Sequence, residues 1–179
     1  MVRHSPAPPL LPLIFLEPSC WSRFVEDYRE LKLPGAEQVA PRCFLFEQFL
    51  DDLLKREPDA LRFNHVAANL AIHAHCHAKA LANPAQATRM LGRLPGRKAT
   101  LLATGCCGMA GAFGTMESKQ ALSRQVAEPL VEQIKRQPQN TILVASGTSC
   151  RHQIRYLTDA TPRHAAEVLA EALASGASP

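Results

Sequence analysis

Four short apolar runs, residues 13–16, 67–72, 99–103 and 141–145, read as buried strands, and a helical pattern follows each of them. After the first run, Trp21, Phe24, Val25, Tyr28 and Leu31 recur at the spacing of one helix face until Pro34-Gly35 stops it. A second helix carries Phe46, Phe49, Leu50, Leu53 and Leu54 and ends at Glu57-Pro58-Asp59. Beyond the second run, Asn83-Pro84 opens a short helix that finishes at Gly92. The third run leads through a glycine-rich turn into a helix starting near Glu117. Pro129 should break or kink that helix, with a further segment reaching about Arg136, because proline lacks the amide donor and crowds the preceding turn. Past the fourth run, residues 150–156 form a short helix, and Thr161-Pro162 caps a last one bearing Ala165, Val168, Leu169 and Leu173.

Strands alternating with helices at these separations imply right-handed crossovers. The expected fold class is α/β: a mostly parallel open sheet of about four strands with helices on both faces, built from Rossmann-like βα units. A flexible, Pro-rich leader (1–12) precedes one domain (13–173), and a disordered small-residue tail (174–179) follows it. The chain has 179 residues, 46% of them apolar and 20% charged, enough to bury a sizeable core and too apolar for disorder. Its net charge of +4 comes from bases scattered in ones and twos, so no nucleic-acid partner is expected. The run 10–16 is interrupted by Pro12, closed by Glu17, and far short of the roughly 20 residues that cross a bilayer, so no transmembrane segment is expected. Arg3 followed by an apolar stretch ending near Cys20 loosely resembles a secretory or lipoprotein signal. Pro6, Pro8, Pro9, Pro12 and Pro18, with Glu17 where a small residue should precede cleavage, favour a buried strand instead.

The six cysteines change the picture most. They are too sparse for a secreted disulfide framework, and Cys106 and Cys107 are neighbours, poorly placed to bridge each other. Cys20, Cys76, Cys106, Cys107 and Cys150 each fall three to five residues past an expected strand end. In a parallel sheet those ends share one edge, where open α/β sheets build ligand sites and helix N-termini aim amides. Thiolates gathered there suit a soft metal or an iron–sulfur cluster. In the turn 105–114, Gly105, Gly108 and Gly111 allow positive φ and close approach of the backbone to inorganic sulfur. Neither phosphate-loop nor dinucleotide-binding glycine patterns are present.

Cys106-Cys107-Gly108, with one cysteine upstream and one downstream, resembles the cysteine-rich CCG domain found in heterodisulfide reductase, in the iron–sulfur subunits of glycolate oxidase and anaerobic glycerol-3-phosphate dehydrogenase, and at the C-terminal end of FAD-linked oxidases. Leu16-Glu17-Pro18-Ser19-Cys20, His75-Cys76-His77-Ala78-Lys79-Ala80, residues 105–114 and Ser146-Gly147-Thr148-Ser149-Cys150-Arg151-His152-Gln153-Ile154 are similar to segments of that last group. The resemblance implies an iron–sulfur cluster, of 4Fe-4S type, held by Cys76, Cys106, Cys107 and Cys150, with Cys20 a fifth candidate. Where heterodisulfide reductase has C-x-x-C, this chain has Gly147-Thr148-Ser149-Cys150, so one ligand of that pattern is absent.

It further implies electron transfer between a flavin domain oxidising a 2-hydroxy acid of the lactate or glycolate type and an external acceptor, a quinone or another carrier. FAD would sit on an upstream domain or partner subunit, since the chain has neither an FAD-binding domain nor a ferredoxin-like cysteine run. The chain is therefore expected to be a C-terminal piece, a separate subunit or a truncated product, an oxidoreductase component that does not oxidise substrate alone. A cytoplasmic location follows, or one at the inner face of the membrane through a partner.

Rival readings stay open at this level. The thiols could form a metal-free dithiol–disulfide site, or the chain could be a non-catalytic remnant that acts as an interaction partner. His73, His75 and His77 share one face if extended; mixed His and Cys ligation of zinc is an alternative that lacks the usual paired spacing. His77 and Lys79 could donate to cluster sulfur or to substrate, and His73 could be a satisfied core histidine. Arg151 and His152, beside Cys150, would make the site more positive or be a solvated helix end. Cys20 could equally be a small buried hydrophobe, while Cys43, at a helix start, reads as a packed thiol and Trp21 as core.

Overall fold

The central run of the chain alternates faces in its strands, as the period of two requires. Leu70 and Ile72 pack to one side of the sheet and Ala71 to the other, while Val144 is set against Leu143 and Ala145 in the same way. The computed structural model describes residues 11–174. Most of the expected leader (1–12) and of the expected tail (174–179) lies outside these described residues.

The fold is α/β with parallel sheets covered by helices. Five strands are present among the described residues: β1 (Leu13–Phe15), β2 (Cys43–Leu45), β3 (Ala68–Ile72), β4 (Arg97–Leu101) and β5 (Ile142–Val144). They form two sheets rather than one of about four strands. β1 pairs with β2, Leu13 opposite Cys43, and a separate three-stranded sheet runs in the order β4-β3-β5, with every pairing parallel. Cys43 therefore does not open a helix. It is the first residue of β2, buried beside Trp21 and Leu45, and its Sγ lies 3.4 Å from the Val39 carbonyl oxygen.

Helices cover both faces of the larger sheet. On one side α4 (Phe46–Arg56), α6 (Ala85–Gly92) and α9 (Ala165–Ala172) bring Leu50, Met90, Leu91, Val168 and Leu169 against Leu70, Ile72 and Val144. On the other, α7 (Gln120–Lys135) and α8 (Thr148–Leu157) set Leu130 and Ile154 against Ala71 and Leu143. The chain passes from β3 through α5 (Cys76–Leu81) and α6 to β4, then through α7 across to β5 on the far side of β3. The strand order thus reverses at β3, the kind of position where open α/β sheets form a crevice at the strand C-termini.

Local differences from the sequence reading have identifiable causes. The first helical stretch begins with α1 (Pro18–Ser22) and ends with α2 (Tyr28–Glu30), but a π-helical segment, Arg23–Asp27, joins them and widens the turn. That rotates Leu31 off the apolar face, leaving it 69% exposed, while Phe24 and Val25 remain packed near Trp21. Helix α7 continues through Pro129, anchored on either side by buried Ala127 and Leu130, and a 3-10 turn, Glu117–Lys119, precedes it. The three histidines do not form one extended run, because His75, itself extended, is the N-cap of α5 and accepts the amide of His77, which lies in the helix. The last helix is capped by His164, whose Nδ1 accepts the Ala166 amide, rather than by Thr161. A short helix α3 (Ala36–Val39) completes the set.

One buried charge fixes the packing of α4 on α6. Asp51, its side chain fully buried, takes two hydrogen bonds from the Arg89 guanidinium at 2.7 and 2.9 Å and a salt bridge from Lys55 at 3.0 Å. Burial alone would raise its pKa, but the hydrogen bonds of Arg89 and Lys55 outweigh it and hold the carboxyl below its ordinary value. Asp51→Asn is expected to destabilise the fold by about 2 kcal/mol at neutral pH, since a desolvated group loses its charge partners. Because the folded pKa is lowered, this contribution is complete above the unfolded value of about 3.9 and disappears as the pH drops below it. Urea unfolding at pH 7 and at pH 3 should show the gap between wild type and Asp51→Asn closing; a constant gap would refute it.

Candidate metal centre

Three loops leave the C-terminal ends of β3, β4 and β5 on the crevice side, and each carries thiols. Cys76 opens α5 after β3, Cys106 and Cys107 lie in the loop after β4, and Cys150 is in the first turn of α8 after β5. Cys107 and Cys150 are buried, Cys76 and Cys106 half-buried. The tightest group is the Cys107 thiol, the Cys150 thiol and a ring nitrogen of His73, all within 4.8 Å of one another.

The charges of these groups are strongly linked. The Cys150 thiol beside Cys107 stabilises the Cys107 thiolate against the opposing effect of burial, with help from His73, and holds its pKa far below that of a free thiol. That interaction, followed by burial, pushes Cys150 the other way. The two thiols titrate as a pair that shares a proton, because each thiol hydrogen-bonds the other. Burial, then the nearby charge of Cys106, raises Cys76. Burial lowers Lys79, although the charges of Cys150, Cys76, Cys106 and Cys107 all pull it back up.

The loop 105–114 is held by bonds that need no ligand. Gly108 has φ +85°, a left-handed conformation, and a Cβ added there would lie 2.1 Å from the Ser123 carbonyl oxygen, so only glycine fits. The Gly108 amide points at Cys106 Sγ at 3.3 Å, and its carbonyl accepts from Ser123 Oγ at 2.8 Å. Ser123 in turn accepts from Gln153 Nε2 at 2.9 Å, a buried chain from α8 through α7 to the loop. At the other end Lys79 Nζ donates to the carbonyls of Thr104 and Gly105, at 2.5 and 2.7 Å. Gly111 also has positive φ, +64°, in open space.

The remaining expected site residues are placed differently. Cys20 is exposed on α1, outside the linked thiol group. His77 turns its Nδ1 to Ser22 Oγ at 2.8 Å and ties α5 to α1. The Arg151 guanidinium donates to the carbonyls of Ala145 and Ser146 and to Thr148 Oγ1, bracing the β5–α8 turn. Lys79 bonds backbone carbonyls of the cysteine loop.

Sequence reasoning missed Ser123 and gave Gln153, within the stretch 146–154, no role of its own, since both look like ordinary polar helix positions. It also missed Glu17, whose Oε2 accepts the Thr148 amide at 2.7 Å and joins the first sheet to α8. Burial would raise Glu17, but the hydrogen bonds from Thr148 and Ser19 prevail and lower it. His73 had one readable signal, its place directly after β3, as the cysteines follow their strands. His73 and His75 also face a cavity of about 40 Å³ together with Glu47 and Ser146, whose side chains hydrogen-bond each other.

A centre of this make-up, three to four convergent thiols with glycine-rich backbone around them, is that of a cysteine-rich redox or metal-binding domain. The family model of the CCG cysteine-rich domain matches residues 70–155. The chain is 30% identical over 161 residues to D-2-hydroxyglutarate dehydrogenase of Pseudomonas putida, covering 89% of this chain and 15% of that protein. It is 24% identical over 164 residues to a subunit of the anaerobic glycerol-3-phosphate dehydrogenase of Escherichia coli K12, covering 92% of this chain and 41% of the relative. The chain thus spans less than half the length of these curated relatives. No solved structure matches it. No helix among the described residues is long and apolar enough to cross a membrane.

The donor set fits an iron–sulfur centre. Thiols are available from all three loops, a glycine amide already points at a cysteine sulfur, and one buried His73 nitrogen, Nε2, has no hydrogen-bond partner.

Proposed function

We propose that this chain is the iron–sulfur electron-transfer component of a flavin-linked dehydrogenase that oxidises a small 2-hydroxy acid or a related hydroxylated metabolite. The observation that carries the reading is the convergence of Cys76, Cys106, Cys107 and Cys150 at the C-terminal edge of β3, β4 and β5. The two dehydrogenase relatives supply the substrate class, 2-hydroxyglutarate and glycerol 3-phosphate by their names. These four cysteines would hold the cluster, of 4Fe-4S type, which when bound takes up and releases single electrons.

The chain's own residues set the conditions for that exchange. Burial of Cys107 and Cys150 excludes water from one side, while half-buried Cys76 and Cys106 leave the other open toward a partner. The Lys79 ammonium offsets part of the thiolate charge. FAD and the hydroxy acid would be bound by another domain or subunit, and a quinone or similar carrier would take the electrons. A cytoplasmic site, or attachment to the inner membrane face through that partner, accords with this role.

Anaerobic purification followed by iron and acid-labile sulfide analysis, with EPR of the oxidised and reduced protein, tests the reading. Stoichiometric iron and sulfide with a redox-active signal are expected. A second reading has its own observation behind it, the thiolate–thiol pair of Cys107 and Cys150, which is arranged as a dithiol–disulfide couple would be. A folded, metal-free protein whose Cys107 and Cys150 oxidise reversibly to a disulfide would establish that reading instead.

A further inference from the structure

His73 is 1% exposed, and its two ring nitrogens are in unlike situations. Nδ1 is 3.0 Å from Thr104 Oγ1, a partner that can fix the tautomer and the ring plane. Nε2 is buried and has no partner at hydrogen-bond distance. An orphaned buried nitrogen costs stability unless something else occupies its lone pair. The ring lies with Cys107 and Cys150 in the one group, among the described residues, whose donor atoms approach within 4.8 Å of one another. One nitrogen held by the protein and the other unpaired, on a ring that lies beside two thiols, is the arrangement of metal-binding histidines.

The neighbouring imidazoles are not equivalent to it. His75 accepts the His77 amide on Nδ1 at 3.2 Å and has Ser149 Oγ 3.4 Å from Nε2. His77 Nδ1 is engaged with Ser22. The chain also lacks the extra cysteine that a C-x-x-C ending at Cys150 would place at position 147. That position is sterically closed, because a Cβ built on Gly147 would lie 2.3 Å from Cδ2 of His75. The His75 ring, whose Nδ1 also lies 3.8 Å from Cys76 Sγ, fills the corner in which another thiol would stand, and the buried ring nitrogen left without a hydrogen bond is Nε2 of His73.

Resting on the iron–sulfur reading above, we propose that His73 is itself a ligand of the centre, offering Nε2 beside Cys107 and Cys150 so that sulfur and nitrogen donors are mixed. The role of His75 is then to close the Gly147 corner and keep a further thiolate out. A neutral imidazole beside the four cysteines, in place of the further thiolate that a C-x-x-C ending at Cys150 would add, leaves one negative charge fewer, so this centre takes up an electron more readily than one with that extra thiolate would.

The test uses the full chain loaded anaerobically with ferrous iron and sulfide. Pulsed EPR of the reduced protein should show the strong coupling of a directly bound nitrogen, altered when the histidines carry 15N. His73→Ala should lose that coupling, His73→Cys should lose it and lower the midpoint potential, and His75→Gln and His77→Gln should keep it. Full iron and sulfide without directly bound nitrogen in the wild type, or with coupling that persists in His73→Ala, would overturn the ligand while leaving the iron–sulfur reading intact. A wild type that takes up neither iron nor sulfide would overturn both. If the His73 variants fail to load, coupling in the wild type that survives in His75→Gln and His77→Gln supports the assignment, and its absence from the wild type overturns it.

Discussion

Cys107→Ser and Cys106→Ser should each reduce iron bound per chain by more than about 100-fold, whereas Cys43→Ser should load as the wild type does. Loss of an outer partner of a metal ligand already costs about 10- to 100-fold in affinity, and loss of the ligand itself costs more. A serine hydroxyl at either position stays protonated at neutral pH and offers a hard donor to a soft site. Cys107 is the more sensitive of the two, since its thiolate is stabilised before any metal arrives and no exposed thiol can replace it in the buried corner with Cys150. Cys43 sits in the other sheet, packed with Trp21 and Leu45. Its replacement should cost about 1 kcal/mol of stability without touching the centre. Iron and sulfide content beside thermal unfolding of the three variants checks both halves; full loading of Cys106→Ser and Cys107→Ser would sink the assignment.

Gly108→Ala should be among the most damaging single-methyl changes in the protein. A left-handed backbone costs alanine roughly 1–2 kcal/mol before any contact is considered. The new Cβ would also stand 2.1 Å from a backbone oxygen of α7, which cannot swing aside as a side chain can. Relief requires moving the loop or the helix, and either one breaks the Gln153–Ser123–Gly108 hydrogen bonds. A total near ~4 kcal/mol is expected. Gly111→Ala isolates the backbone part, having positive φ but no atom within 4 Å of its added Cβ, and should cost only about 1–2 kcal/mol. Denaturant unfolding of both variants gives the comparison; equal losses would show that the contact with α7 contributes nothing.

What can be read from the chain alone divides along the range of the interactions. Residues 67–72, 99–103 and 141–145 announce β3, β4 and β5 because each is a short apolar run between turn signals, and the thiol positions follow from those strand ends. β2 is hidden because Cys43, Phe44 and Leu45 run directly into the apolar stripe beginning at Phe46. Only pairing with β1, some thirty residues earlier, makes those three a strand. The π-helical turn at Arg23–Asp27 has no local sequence signature, so periodicity alone puts Leu31 on a face it does not share. At the site, cysteines declare their chemistry by type, but Ser123 and Gln153 act through a carbonyl brought to them by the fold. His73 shows its unpaired nitrogen only once Thr104 has taken the other one.

The Lys79 bonds to Thr104 and Gly105 bear on how the protein meets its cofactor. A loop that a metal must first gather surrenders its conformational entropy at the moment of binding, so that binding and folding become a single event. Here a lysine from α5 clasps the entrance of the loop, and the serine–glutamine chain clasps its middle, through bonds made wholly within the protein. Those degrees of freedom are given up during folding, so order in this loop belongs to the fold itself.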